Sequence, residues 1–210
     1  MTEVSNEQLI NVYEIESPEE AQEVYDEWAE TYEADLAAMD HRVPAVAAAV
    51  FARFVPLDDG SILDAGCGTG VQSEPLHLAG YGPIVGVDLS AGMLELARRK
   101  NIYAALHQVE LGKELDFDDD AFANVISVGA ITPGHAPPHS FDELIRVTRP
   151  GGRIIFGMRV DDAQDPEYPE TVAGYAEDGR WSLEFETAEF ATLPVGDPEL
   201  RSRVYVYRVT

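Results

Sequence analysis

Ile62-Leu63-Asp64-Ala65-Gly66-Cys67-Gly68-Thr69-Gly70, followed by Val85-Gly86-Val87-Asp88, decides the fold of this chain. Two apolar residues finish a buried strand, an acid stands at its end, and three alternating glycines make the turn. A second apolar strand then ends in another acid, Asp88. Glycine has no Cβ and accepts positive φ, so the main-chain N–H groups of such a turn approach a ligand closely. An acid at the tip of the next strand is placed to accept hydrogen bonds from a ribose. The pattern describes a site for a nucleoside-bearing cofactor.

The spacing bears on which cofactor. A dinucleotide fingerprint reads G-x-G-x-x-G/A. Here Gly66 and Gly68 match, but the third position falls on Val71 and the last glycine is Gly70. The stretch resembles motif I of the class I S-adenosylmethionine-dependent methyltransferases, an acid two residues before G-x-G-x-G. That resemblance implies cofactor contacts from Asp64, Ala65, Gly66, Gly68 and Gly70 in the loop, and a grip on both ribose hydroxyls by Asp88. Leu89 follows that acid, and Met93 is then expected near the adenine. S-adenosyl-L-methionine is the implied cofactor and S-adenosyl-L-homocysteine the product. An NAD(P)-dependent enzyme and a cofactor-binding module without catalysis are the alternatives.

Later landmarks extend the likeness over roughly residues 20–160. Phe122 to Gly129 is similar to motif IV, and Arg149-Pro150-Gly151-Gly152 to the turn before the fifth strand, with Gly129 as a further cofactor contact. Tyr25-Asp26-Glu27-Trp28-Ala29 with Tyr32, and Gly129-Ala130-Ile131-Thr132-Pro133-Gly134-His135, resemble the methyltransferases named for the Williams–Beuren syndrome critical region. By itself, an aromatic stripe at helical spacing is the buried face of a helix. The resemblance instead implies a lid over the cofactor, with Tyr25, Trp28 and Tyr32 as contacts. One segment departs from the family. Many relatives carry Ala-Asp-Leu after strand three, where this chain has Gln108-Val109-Glu110-Leu111. Either Glu110 reaches the adenine amino group with one extra methylene, or the main chain takes over.

Around these motifs the chain alternates as a doubly wound α/β fold does. The expected architecture is a Rossmann-like, seven-stranded sheet, mostly parallel with an antiparallel last strand and an N-terminal helical lid. Residues 1–17 read as a loosely held lead-in. Helices are expected from Ser17-Pro18-Glu19-Glu20 and over about 43–54, 71–79 and 90–100, with another from Phe141 to Val147. Strands are expected over about 61–65, 83–87, 102–106, 123–128 and 153–158. Trp181 to Phe190 and Val204 to Tyr207 alternate and read as a closing antiparallel pair. With 210 residues the chain suits one domain, made of a helical cap (1–55), a cofactor core (56–160) and C-terminal strands (161–210).

Composition narrows the function further. No stretch approaches the ~20 apolar residues of a membrane span. MTEVSNEQL lacks the basic and apolar regions of a signal peptide, so a cytoplasmic protein is expected. The single cysteine, Cys67, excludes an internal disulfide framework; it is expected to face the cofactor without acting as a nucleophile. No metal site is expected. The net charge is −25, and the first 40 residues hold 13 acids and no Lys or Arg. Such a surface repels nucleic acid and anionic membranes, leaving a small-molecule acceptor for a monomer or homodimer. It also suits a salty cytoplasm, where carboxylates maintain solubility, or simply an acidic bacterial enzyme. His135 and His139 lie beyond strand four, at the end of the sheet where ligands bind. His135 is the candidate general base, its ordinary pKa being close to neutrality. The bland reading of both histidines is that they shape a proline-stiffened loop.

Overall fold

The computed structural model describes Val12, Ile15 and residues 17–210; the rest of the expected lead-in lies outside the described residues. Helix α1 (Pro18–Ala38) begins as its sequence directs: Ser17 Oγ accepts the Glu20 N–H at 3.2 Å, Pro18 opens the first turn, and Glu19 and Glu20 face the positive end of the helix dipole. Helix α2 (Val43–Phe54) buries Ala47 and Phe51 completely.

Five strands then alternate with helices: β1 (Ile62–Ala65), α3 (Glu74–Leu78), β2 (Ile84–Asp88), α4 (Ala91–Lys100), β3 (Ala105–Gln108), β4 (Phe122–Ser127), α5 (Ser140–Val147) and β5 (Thr148–Arg159). After α6 (Glu167–Glu177) come β6 (Trp181–Glu186), β7 (Phe190–Leu193) and β8 (Asp197–Val209). The sheet order is β3-β2-β1-β4-β5-β8-β6, with β7 also on β8. Strands β1 to β5 pair in parallel, and β8 runs antiparallel between β5 and β6. Both faces are covered, so the central strands β1 and β4 are buried at every residue. In β5, Ile154 packs into one core with Phe141 and Trp181, and Ile155 into the other with Phe51 and Val206. The order reverses beside β1, which pairs β2 on one side and β4 on the other. Ligands bind at the carboxyl ends of the strands flanking such a switch point.

Some expectations need correction. Strand β3 begins three residues later and ends two residues later than its apolar pattern suggested. The Arg149–Gly152 turn is part of β5, as an irregularity where a Cβ on Gly152 would lie 2.2 Å from the Ala123 carbonyl oxygen. The stretch Trp181 to Phe190 is two strands, parted where Thr187 Oγ1 accepts the Val204 N–H at 3.1 Å. Helix α6 was not foreseen. Pro169 and Gly174 argue against a helix locally, but proline is tolerated in a first turn, and Tyr168 and Val172 bury one face. Among the described residues, no helix is long and apolar enough to cross a membrane.

Helix α1 lies along α4 and is fastened there by its acids. Asp26 Oδ1 accepts from Ser90 Oγ at 2.5 Å and from the Gly92 N–H at 2.8 Å, capping the α4 N-terminus from outside. Gly92 permits this approach, since its Cβ would lie 3.2 Å from the Asp26 Cα. At the other end Lys100 bridges Glu33 and Glu74, both at 2.9 Å. Asp26→Ala is expected to lower unfolding stability by about 1 kcal/mol, the typical value of a helix-capping carboxylate. Urea denaturation measures it, and an unchanged midpoint would show that the latch contributes nothing.

Candidate functional site

The glycine loop is shaped from both sides. Gly66, Gly68 and Gly70 have φ of +73°, +52° and +91°, in the region that disfavours side chains. The Gly66 and Cys67 N–H groups donate to the Val87 carbonyl oxygen, each at 2.9 Å, tying the loop to the end of β2. The Gly68 N–H donates to Asp88 Oδ2 at 2.7 Å, and the Ser90 N–H to Asp88 Oδ1 at 2.9 Å. Burial raises the Asp88 carboxyl pKa, and these N–H donors oppose the rise. Each oxygen keeps a further acceptor site for a ligand. Cys67 does not face the cleft. Its Sγ lies 2.9 Å from where a Gly86 Cβ would be, and the thiol is buried.

Asp64 lies beneath the loop. Its Oδ1 accepts from Gln72 at 2.8 Å, and its Oδ2 from Ser73 at 2.6 Å and Tyr103 at 2.7 Å. Burial lifts its pKa to about 6 from the ordinary 3.8, against the pull of the three hydrogen bonds and with a smaller push from Asp88. This network fixes the start of α3. The residues ahead of it form turns because their side chains reach back to Asp64, so α3 is shorter than expected.

Above the loop a cleft of about 670 Å³ opens between α1 and the carboxyl ends of the strands. Of the residues singled out from sequence, Tyr25, Tyr32, Gly66, Gly68, Asp88, Leu89, Met93, Glu110, Gly129 and His135 line it. Trp28, Asp64, Ala65 and Gly70 do not. The Trp28 indole is buried behind the cleft, stacked on Tyr25, edge-on to Tyr32 and donating to Asp35 at 2.7 Å. Glu110 reaches Lys113 at 2.6 Å. Sequence reasoning missed Ala21 and Gln22, which precede Tyr25 by one helical turn, and Ala130 and Ala136 beside the named loop residues. The helical spacing from Tyr25 was a usable signal for the first two.

At one end of the cleft the lid meets the loop after β4. Tyr25 donates its O–H to His135 Nε2 at 3.0 Å. His135 Nδ1 lies 3.0 Å from the Pro133 carbonyl oxygen, which can only accept, so this nitrogen carries the ring proton. Burial lowers the His135 pKa, leaving the ring neutral near pH 7 with a basic Nε2. His139 is turned away, 3.2 Å from the Gly112 carbonyl oxygen. Among the described residues no group of three or more His, Cys, Asp or Glu is placed to hold a metal ion.

Residues 62–152 match the family model described as a methyltransferase domain. The chain is 36% identical over 142 residues to methyltransferase-like protein 27 of Homo sapiens, a match covering 66% of this chain and 58% of that protein. It is 34% identical over 161 residues to the demethylmenaquinone methyltransferase of Symbiobacterium thermophilum, covering 68% of this chain and 62% of the relative. The chain thus spans about three-fifths of the length of these relatives. Over residues 62–152 the chain is similar to methyltransferase domains. A solved structure of geranyl diphosphate C-methyltransferase from Streptomyces coelicolor, in complex with S-adenosyl-L-homocysteine, shares the fold at TM-score 0.64 and 16% identity, over 86% of this chain and 84% of that one.

The cleft fits the cofactor that the glycine motif implies. Gly68 and Gly129, both at positive φ, line it with nothing within 4 Å of where a Cβ would stand. Bare main chain there leaves the room a nucleoside occupies. Beneath it, the folded protein favours the neutral form of Asp64. Its contribution to stability is therefore fully present below the ordinary pKa of 3.8 and is lost as the pH rises through about 6. Relative to Asp64→Asn, the native domain should lose up to about 3 kcal/mol between pH 3.5 and 7. Urea unfolding of both proteins across that range tests this, and a difference independent of pH would refute it.

Proposed function

We propose that this chain transfers the methyl group of S-adenosylmethionine to a nitrogen, oxygen or sulfur nucleophile on a small molecule, with His135 as general base. The carrying observation is the glycine-floored cleft that ends in Asp88 beneath an aromatic lid. When bound, the cofactor supplies a methyl group already activated on a sulfonium. The chain's work is then positioning and water exclusion. Asp88 would hold the ribose with the acceptor sites its backbone donors leave free. Tyr25 and Tyr32 cover the cleft from the lid, and Met93 and Leu89 give it an apolar wall. His135 Nε2, held in its basic tautomer through Pro133, is placed to take a proton from an acceptor that displaces the Tyr25 hydroxyl.

The aromatic lid and the Gly129–His135 segment support a place among the methyltransferases named for the Williams–Beuren syndrome critical region. The domain division at about 55 and 160 is kept as part of this reading, as are the cytoplasmic location and the lack of nucleic-acid and membrane partners. Calorimetry distinguishes the alternatives. S-adenosylmethionine and S-adenosylhomocysteine should bind and NAD should not, and Asp88→Ala should weaken both by about 100-fold, the value of two hydrogen bonds to a charged group. Binding of NAD in preference would overturn the assignment. His135→Ala should leave cofactor affinity unchanged and cut turnover by roughly 100-fold or more; native turnover would remove His135 from the mechanism and leave it a loop-shaping residue.

A further inference from the structure

Every charged side chain that lines the cleft is an acid: Asp88 on one wall and Glu110 on another. Among the described residues no Lys or Arg lines it. The cation at its edge, Lys113, is tied to Glu110 at 2.6 Å and also feels Glu19. The lid deepens the asymmetry, because α1 carries eight acids and no Lys or Arg. No arrangement of that segment can bring a lysine or arginine to the cleft. Tyr25, His135, Ala21, Gln22, Ala130 and Ala136 also line the cleft, and none of them carries a cation at neutral pH.

We propose that this cleft selects an uncharged or cationic acceptor and rejects acceptors bearing a carboxylate, sulfate or phosphate. The inference rests on the methyltransferase reading above and names the substrate class of that same site. An anionic acceptor entering here leaves water for a half-enclosed space whose nearest charges are carboxylates, with no guanidinium or ammonium to receive it. The two lining carboxylates outnumber the single net positive charge that the cofactor brings. At longer range the net charge of −25 repels anions and concentrates cations, which acts on the association rate as well as on affinity.

Matched acceptors of one skeleton and three charges test it. The probes are 4-hydroxybenzoate, 4-hydroxybenzamide and 4-hydroxybenzylamine, with mercaptoacetate, 2-mercaptoethanol and cysteamine as a second series. Each is titrated into the chain saturated with S-adenosylhomocysteine and assayed for methyl transfer with S-adenosylmethionine. The acid of each series should bind at least about 10-fold more weakly than its neutral partner, the effect of one like-charge approach in a partly desolvated cleft. Equal binding, or tighter binding of the acids, would overturn the proposal. A second readout reverses the selectivity. Gln22→Arg adds a cation to the cleft lining, so the acid of each series should gain about 5-fold in affinity relative to its neutral partner. An unmoved ratio would count against an acidic field in the cleft. Failure of the native chain to bind either S-adenosylmethionine or S-adenosylhomocysteine would instead defeat the underlying methyltransferase reading.

Discussion

The rest of the site depends on the hydrogen bond from the Gly68 N–H to the Asp88 carboxylate, 2.7 Å long. It joins the turn after β1 to the end of β2 at the point where the sheet reverses its order. A buried carboxylate without donors is costly, and a buried N–H without an acceptor is too. Each therefore requires the other, and together they require the main chain to turn through positive φ at the glycines. The Gly66 and Cys67 N–H groups on the Val87 carbonyl reinforce the same junction. Asp64, below, holds the loop from the other side through Gln72, Ser73 and Tyr103. The two acids of the opening motif thus divide the work: one is an internal peg, and the other presents an oxygen edge to the cleft.

The lid is joined to this centre through polar contacts rather than through the main sheet core. Asp26 caps α4, the helix that begins just after Asp88, so the position of α1 is referred to the ribose end of the cleft. Tyr25 reaches His135, so the same helix is also referred to the loop after β4. Behind Tyr25, the rings of Trp28 and Tyr32 pack with Leu36, Met39 and Leu193, which ties the lid to the C-terminal strands. The lid and the candidate base are consequently positioned together, with Tyr25 occupying the nitrogen that an acceptor would need.

Much of this was legible because the decisive residues are local in sequence. The glycine spacing and the Ser17-Pro18 helix start carry their own physical reason and took their expected form. Of the two strand-end acids, Asp88 lines the cleft, whereas Asp64, expected as a contact, lies beneath the loop. The legible part stopped where tertiary packing chose between local alternatives. Tyr25, Trp28 and Tyr32 share a helical stripe, yet only Tyr25 and Tyr32 line the cleft, because the Trp28 N–H is satisfied by Asp35 in the lid's own core. Helix α6 contains Pro169 and Gly174, and its formation follows from burying Tyr168 and Val172 against the core of Trp181, whose Nε1 donates to the Val172 carbonyl at 3.1 Å. Pairing that spans the chain, such as that of Asp26 with Gly92, leaves no signature in either segment alone.

A crystal structure of the chain with S-adenosylhomocysteine tests the central claim most directly. The account requires the ribose hydroxyls to lie within hydrogen-bond distance of Asp88, the nucleoside to run over Gly68 and Gly129, and the sulfur to face Tyr25 and His135. A ribose bound away from Asp88, or a sulfur pointing away from His135, would contradict it.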